Sequence, residues 1–140
     1  MAEADALYAQ LYSAHSEHLV TLAELLAPAV HFYSAKLDGQ LVGCGALVQN
    51  GWEGEIKRIY VRPAGRGHGV ASTILATLEQ RARELNIRVI RLETGIHQDA
   101  AIALYEAKGY RRAGAFAPYQ PHPESLFFEK VLSADDQPGL

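Results

Sequence analysis

Arg66-Gly67-His68-Gly69-Val70-Ala71 joins a basic side chain and two glycines to the start of an apolar-periodic stretch. Such a segment can hold a phosphate. Glycine lets backbone approach a ligand closely. The first N–H groups of a helix have no partner inside it, and the partial positive charge at a helix start favours an anion. The chemistry therefore needs a strand in front of the loop and a helix behind it. Glu55-Ile56-Lys57-Arg58-Ile59-Tyr60-Val61 is strand-like, and Arg62-Pro63-Ala64-Gly65 reads as a turn. Val70, Ile74, Leu75, Leu78, Ala82 and Leu85 share one helical face. The segment is read as a phosphate or pyrophosphate cradle.

Spacing removes the commonest phosphate loops. No glycine pair followed by Lys and Ser or Thr has Walker spacing. The dinucleotide fingerprint requires Gly or Ala at its sixth position. That place holds Val70, Ser72 or Val48 when counted from Gly65, Gly67 or Gly43. Two other reactive-looking features have plainer accounts. His15 and His18 lack a third ligand at helical spacing, so no metal is expected. Cys44 lies among small residues of a strand without a base partner and reads as buried packing.

The elements that must position the cradle are set by punctuation and period. Two helices are expected at about Ala4 to Ser13 and Glu17 to Ala27, the second capped by Ser16 and ended by Pro28. Val30 to Leu37 and Gln40 to Gln49 form a hairpin about Asp38-Gly39. After the Asn50-Gly51 turn and a loop over Trp52 to Gly54 come strand Glu55 to Val61 and helix Gly69 to Leu85. Strand Arg88 to Thr94 and helix Asp99 to Lys108 come next, with Gly109 in the helix-closing position. Two last strands, Tyr110 to Phe116 and Ser125 to Leu132, flank a proline-bearing loop. Residues 1–132 are expected to form a single domain and 133–140 a frayed tail.

Bulk properties narrow the function classes. The chain has 140 residues, enough for one domain with a real core, and a net charge of −3. That balance argues against a generic nucleic-acid binder. One cysteine excludes an internal disulfide and suits a reducing cytoplasm. No signal peptide is apparent, and the longest apolar run, near Leu19 to Val30, is too short to span a membrane.

Arg66, Gly69 and Ala71 match the pattern Arg-x-x-Gly-x-Ala. This resembles the acyl-CoA-binding signature of the GCN5-related N-acetyltransferase (GNAT) superfamily. Ala101-Ile102-Ala103-Leu104-Tyr105, followed by Gly109-Tyr110, looks like its second signature, at the usual separation from the first. The similarity covers about His31 to Leu132, and Gly43-Cys44-Gly45-Ala46-Leu47 and Leu92-Glu93-Thr94-Gly95 look like one small bacterial branch. The resemblance implies an α/β fold: a mixed, mostly antiparallel sheet with a V-shaped splay between central strands, flanked by helices. Members usually begin with a strand, whereas this chain's first residues look helical. Either that edge strand is absent or the pattern does not reveal it; if it is absent, the bare sheet edge would suit a homodimer.

The resemblance also implies roles. Arg66, Gly67, His68, Gly69, Val70 and Ala71 would hold the pyrophosphate of acetyl-CoA. Ile59, Tyr60 and Val61 would pair with its pantetheine arm, and an N–H there could polarise the thioester carbonyl. Gln98 stands where relatives often carry a CoA-touching asparagine. Tyr105 would hydrogen-bond the departing thiolate. Glu55 would be the general base, since an ammonium must lose a proton before it attacks. Glu93 could bind a cationic acceptor or replace Glu55 as base, and repulsion between the two would raise one pKa. Tyr119 is the candidate acceptor wall, while His97 and His122 read as loop residues.

The expected reaction is acetyl transfer from acetyl-CoA to a small-molecule primary amine by direct attack in a ternary complex. A protein or peptide amine is an alternative acceptor. A non-catalytic acyl-CoA sensor and an RG-type RNA module are alternatives of other classes. No metal, nucleic acid or membrane is expected as a partner.

Overall fold

A computed structural model describes residues 29–132. The expected N-terminal helices, the edge-strand question and the tail lie outside them. Six strands form one sheet in the order β1-β2-β3-β4-β6-β5. The strands are β1 (Val30–Leu37), β2 (Gln40–Asn50), β3 (Glu53–Val61), β4 (Val89–Gly95), β5 (Arg111–Ala113) and β6 (Ser125–Val131). Helix α1 (Val70–Glu84) connects β3 to β4, and α2 (Asp99–Ala107) connects β4 to β5. Among the described residues no helix is long and apolar enough to cross a membrane.

The β1–β2 hairpin turns on Asp38 and Gly39, both with positive φ (52° and 81°). That geometry matches the twist of the flanking strands. Two boundaries depart from expectation. The loop after Asn50-Gly51 is shorter, because β3 already begins at Glu53 and pairs it with Asn50. The strand expected over Tyr110 to Phe116 keeps only Arg111–Ala113. Its Tyr110 is drawn instead into the core, where its hydroxyl donates to Glu79 of α1 at 2.8 Å. Lys130 of β6 reaches the same buried carboxylate at 3.3 Å. A charge buried at Glu79 is tolerable because it is paired and hydrogen-bonded.

Ile74, Leu75, Leu78 and Ala82 of α1 pack on Leu47, Ile56, Ile90, Leu92 and Phe128 of the sheet. Close approach of helix to sheet depends on Gly45: a Cβ there would stand 2.6 Å from Ile74 Cγ2. The opposite sheet face carries an ion network, in which Arg91 pairs with Glu53 and with Glu129.

Two irregularities shape the centre of the sheet. First, β3 and β4 run parallel but pair only from Glu53↔Val89 to Ile56↔Leu92. β4 meanwhile continues beside β6 as far as Gly95↔Ser125. The central strands therefore part after Ile56, giving the expected splay. Second, Arg58 and Ile59 of β3 stand opposite Gly45 alone in β2, a bulge with Arg58 at φ 61°. A bulge shifts side-chain alternation by one residue. Ile59 thus packs with the helix-covered core alongside Ile56, while Tyr60 packs against Cys44 on the other face.

Candidate active site

The cradle is built as a rigid turn followed by two left-handed glycines. A short 3₁₀ turn, Pro63–Gly65, comes after β3, with Gly65 buried so tightly that a Cβ would lie 2.8 Å from Val42 Cβ. Gly67 and Gly69 adopt φ of 79° and 72°, and a Cβ on either would meet open space. Conformation, not crowding, therefore requires glycine at these two positions. Gly69 is the N-cap of α1, and the helical ladder begins with Thr73 N–H donating to the Gly69 carbonyl at 3.0 Å. The N–H groups of Val70, Ala71 and Ser72 precede that first rung, so they can serve an anion. Arg66 is held beside them by Nε donation to the Val61 carbonyl at 3.3 Å. His68 is exposed, and Val70 packs on the core.

Ile59, Tyr60 and Val61 lie on β3 beyond the last β3–β4 pair, and so border the splay. On the other side of β4, Tyr105 is buried against Tyr110 and Phe128, with ring centroids 5.8 and 6.1 Å away. Burial pushes its phenol up to about 12. A hydroxyl so weakly acidic can donate a hydrogen bond but parts with its proton reluctantly. Gln98 is the exposed N-cap residue of α2, its N–H bonded to the Gly95 carbonyl at 3.1 Å. His97 is exposed beside it.

Glu55 and Tyr119 are brought together although 64 residues separate them: the Tyr119 hydroxyl donates to Glu55 Oε2 at 2.6 Å. Lys57 Nζ stands 3.8 Å from the same carboxylate. Burial raises the Glu55 pKa; the Tyr119 bond and the Lys57 and Arg58 charges pull it down, and Glu93 adds a last upward push. The expected cause of such a shift, carboxylate repulsion, is therefore the minor one. Desolvation leads because the Glu55 side chain is only 18% exposed and lies under the Tyr119 hydroxyl. Burial first, then the Glu55 bond, likewise raises the Tyr119 phenol.

Glu93 is exposed and accepts a hydrogen bond from Ser125 Oγ at 2.7 Å. Its register partner across β4–β6 is Phe127. Phe127, Phe116 and Tyr119 form an aromatic cluster, with centroids 5.0 to 5.8 Å apart. The cluster gives Tyr119 a wall to stand on. Phe116, Phe127, Ser125 and Arg58 also stand in this group of side chains; the sequence pattern includes Phe116, Ser125 and Phe127 but assigns them no role, and it does not mark Arg58. The alternation of the last strand could have pointed to Phe127; no local pattern marks Arg58. Cys44 is buried, its thiol donating to the Arg58 carbonyl at 3.4 Å, and burial pushes it up to about 12. It is a packing residue. Among the described residues no group of three His, Cys, Asp or Glu could hold a metal ion. A groove of about 460 Å³ between Tyr33 and the outer face of α1 adjoins the helix start at Ser72 and Thr73 and includes neither Glu55 nor Tyr119.

The profile of the acetyltransferase (GNAT) family matches residues 2–110. This chain belongs to the GNAT family. It is an acyltransferase, and its family draws its acyl group from acetyl-CoA. An IAA acetyltransferase of Azospirillum brasilense is 41% identical to this GNAT chain over 132 residues, covering 93% of the chain and 86% of the relative. An aminoalkylphosphonate N-acetyltransferase of Salmonella typhimurium is 33% identical over 97 residues, 65% of the chain and 63% of the relative. A crystal structure from Klebsiella pneumoniae, provisionally assigned as an acyl-CoA N-acyltransferase, superposes with a TM-score of 0.80 at 44% identity. The match covers 91% of this GNAT chain and 88% of that one.

Proposed function

We propose that this GNAT enzyme moves the acetyl group of acetyl-CoA to the primary amine of a small molecule, by direct attack within a ternary complex. One observation carries the reading. The β3–β4 gap has at one end a glycine-spaced helix start able to serve an anion, and at the other a shielded carboxylate, Glu55, one residue before the strands part. A thioester lying along the β3 edge would bring its carbonyl between the two. Names of relatives support a small acceptor, since IAA and aminoalkylphosphonate are small molecules.

The residues then divide the work. Gly67, His68, Gly69, Val70 and Ala71 offer backbone N–H groups to the pyrophosphate, with Arg66 adding charge. Ile59, Tyr60 and Val61 line the pantetheine arm, and Gln98 reaches the cofactor from α2. Glu55 takes a proton from the acceptor ammonium, directly or through water, and frees the nitrogen lone pair. The nitrogen attacks the thioester carbon, the C–N bond forms, the C–S bond breaks, and the second amine proton ends on the CoA sulfur. Tyr105 stabilises the leaving thiolate by a hydrogen bond; a thiol near pKa ~8.5 needs no stronger acid. Much of the rate would come from holding the reactants together.

The reading is tested by incubating the protein with acetyl-CoA and a panel of small amines and peptides, following free thiol and product mass. Acetylated small amines are the expected product. Thiol release with peptides alone would replace the acceptor class, and none with any acceptor would end the reading.

A further inference from the structure

Acetyl transfer as described leaves Arg58 without a role. The residue stands two positions beyond the last β3–β4 pair, where the gap opens. Its backbone is left-handed at φ 61°, a conformation that costs a residue with a Cβ. The guanidinium Nε is shielded from solvent yet has no hydrogen-bond partner among the described residues. An N–H of a charged group left unsatisfied away from water is costly and calls for a partner, a water, an ion or a ligand. His31 Nε2 and Arg83 Nε share this state, but of the three only Arg58 lies in β3 just past the pairs that close the gap. The nearby carboxylates do not supply the partner. Glu55 is engaged by Tyr119 and Lys57, and Glu93 by Ser125. The ion pairs among the described residues do not include Arg58.

We propose that Arg58 anchors an oxyanion carried by the acceptor itself, which makes the acceptor a zwitterionic amine, such as an amino acid or an aminophosphonate, rather than a plain alkylamine. This rests on the small-amine reading and sharpens it. The acceptor would be held at three points. Its ammonium faces Glu55 and Glu93, its oxyanion takes the planar guanidinium, and its side chain lies on the Phe116–Tyr119–Phe127 wall. Guanidinium suits the second task because its N–H fork matches a carboxylate or phosphonate edge. The bulge gives the arrangement its geometry. Glu55 and Arg58 are brought to bear on the same gap by a break in alternation that a regular strand would not make. The Arg58 charge is felt at both Glu55 and Tyr119, which places it in this group.

The test uses matched acceptors: an aromatic α-amino acid, its decarboxylated amine, and the corresponding 1-aminophosphonate. Each is run with acetyl-CoA on wild type, Arg58→Gln and Arg58→Lys. Wild type is expected to favour the two oxyanion acceptors in kcat/KM on the order of 10²-fold, as for loss of a buried charged hydrogen bond. Arg58→Gln should erase most of that preference through KM, and Arg58→Lys should restore part of it. Carboxylate and phosphonate arms report which oxyanion is preferred. Equal turnover of the matched acceptors by wild type overturns the proposal while leaving amine acetylation standing, and so does an equal loss on all three in Arg58→Gln. If Arg58→Gln does not fold, the wild-type ratio alone decides. If no amine releases thiol, the functional reading fails, and calorimetric binding of the same acceptors to the CoA-loaded protein judges the anchor. There, equal affinity overturns it.

Discussion

Between Gly65 and Ala71 the proposed donor side consists almost wholly of main chain: a buried turn, two left-handed glycines and a helix start. Across the gap the proposed acceptor side is assembled from side chains of β3, β4, β6 and the loop before β6. Its best-defined contact spans 64 residues. The donor side spreads its work over several equivalent N–H groups, so one change should weaken it without abolishing it. The acceptor side concentrates chemistry in single groups, where one change should remove a function outright.

The contrast predicts a ranking of effects. Glu55→Gln should be the most damaging, lowering kcat/KM on the order of 10²- to 10³-fold in the pH range where Glu55 is ionised and the amine is still protonated. The sign comes from the base role: only ionised Glu55 accepts a proton, so wild-type activity is present above its raised pKa and fades as pH falls through it. A pH–rate profile in which Glu93→Gln shows this loss and Glu55→Gln does not would reassign the base. Gly69→Ala comes next. An alanine at φ 72° costs about 1–2 kcal/mol, so acetyl-CoA KM should rise by roughly 5- to 30-fold at most, with acceptor KM unmoved. A larger loss than that of Glu55→Gln would break the contrast. Tyr119→Phe should be mildest, about 2- to 5-fold near neutral pH. Its hydrogen bond lowers the Glu55 pKa, so removing it should move the acidic limb of the profile to higher pH. A shift toward lower pH would count against the pairing of these residues.

The same contrast explains which parts are legible in sequence. The cradle is local: glycine spacing and the apolar face of α1 lie within a few residues, so pattern alone predicts both. Hairpin β1–β2 is legible for a similar reason, since Asp38-Gly39 specifies its own turn. The Glu55–Tyr119 bond and the Phe116–Phe127 contact depend on how β6 returns beside β4 and where the preceding loop lands. No local period encodes that. Tyr119 stands out by its aromatic and proline surroundings, but its pairing with Glu55 does not. The environment of Glu55 departs from expectation in one respect. Two carboxylates suggest repulsion, whereas enclosure dominates, and enclosure is a property of the folded loop. Arg58 carries no mark of its own, because a bulge has no simple signature inside a strand of alternating charge and apolar residues.

Among the described residues, the four register pairs between β3 and β4 are the only strand pairing that joins the two sides of the sheet. β1, β2 and β3 form one leaf and β4, β6 and β5 another, joined along a spine shorter than either central strand. Bending stiffness of a sheet comes from its continuous ladders, so compliance collects at this spine. Cradle and acceptor wall sit on opposite leaves, and any tilt between them changes the distance across which acyl group and amine must meet.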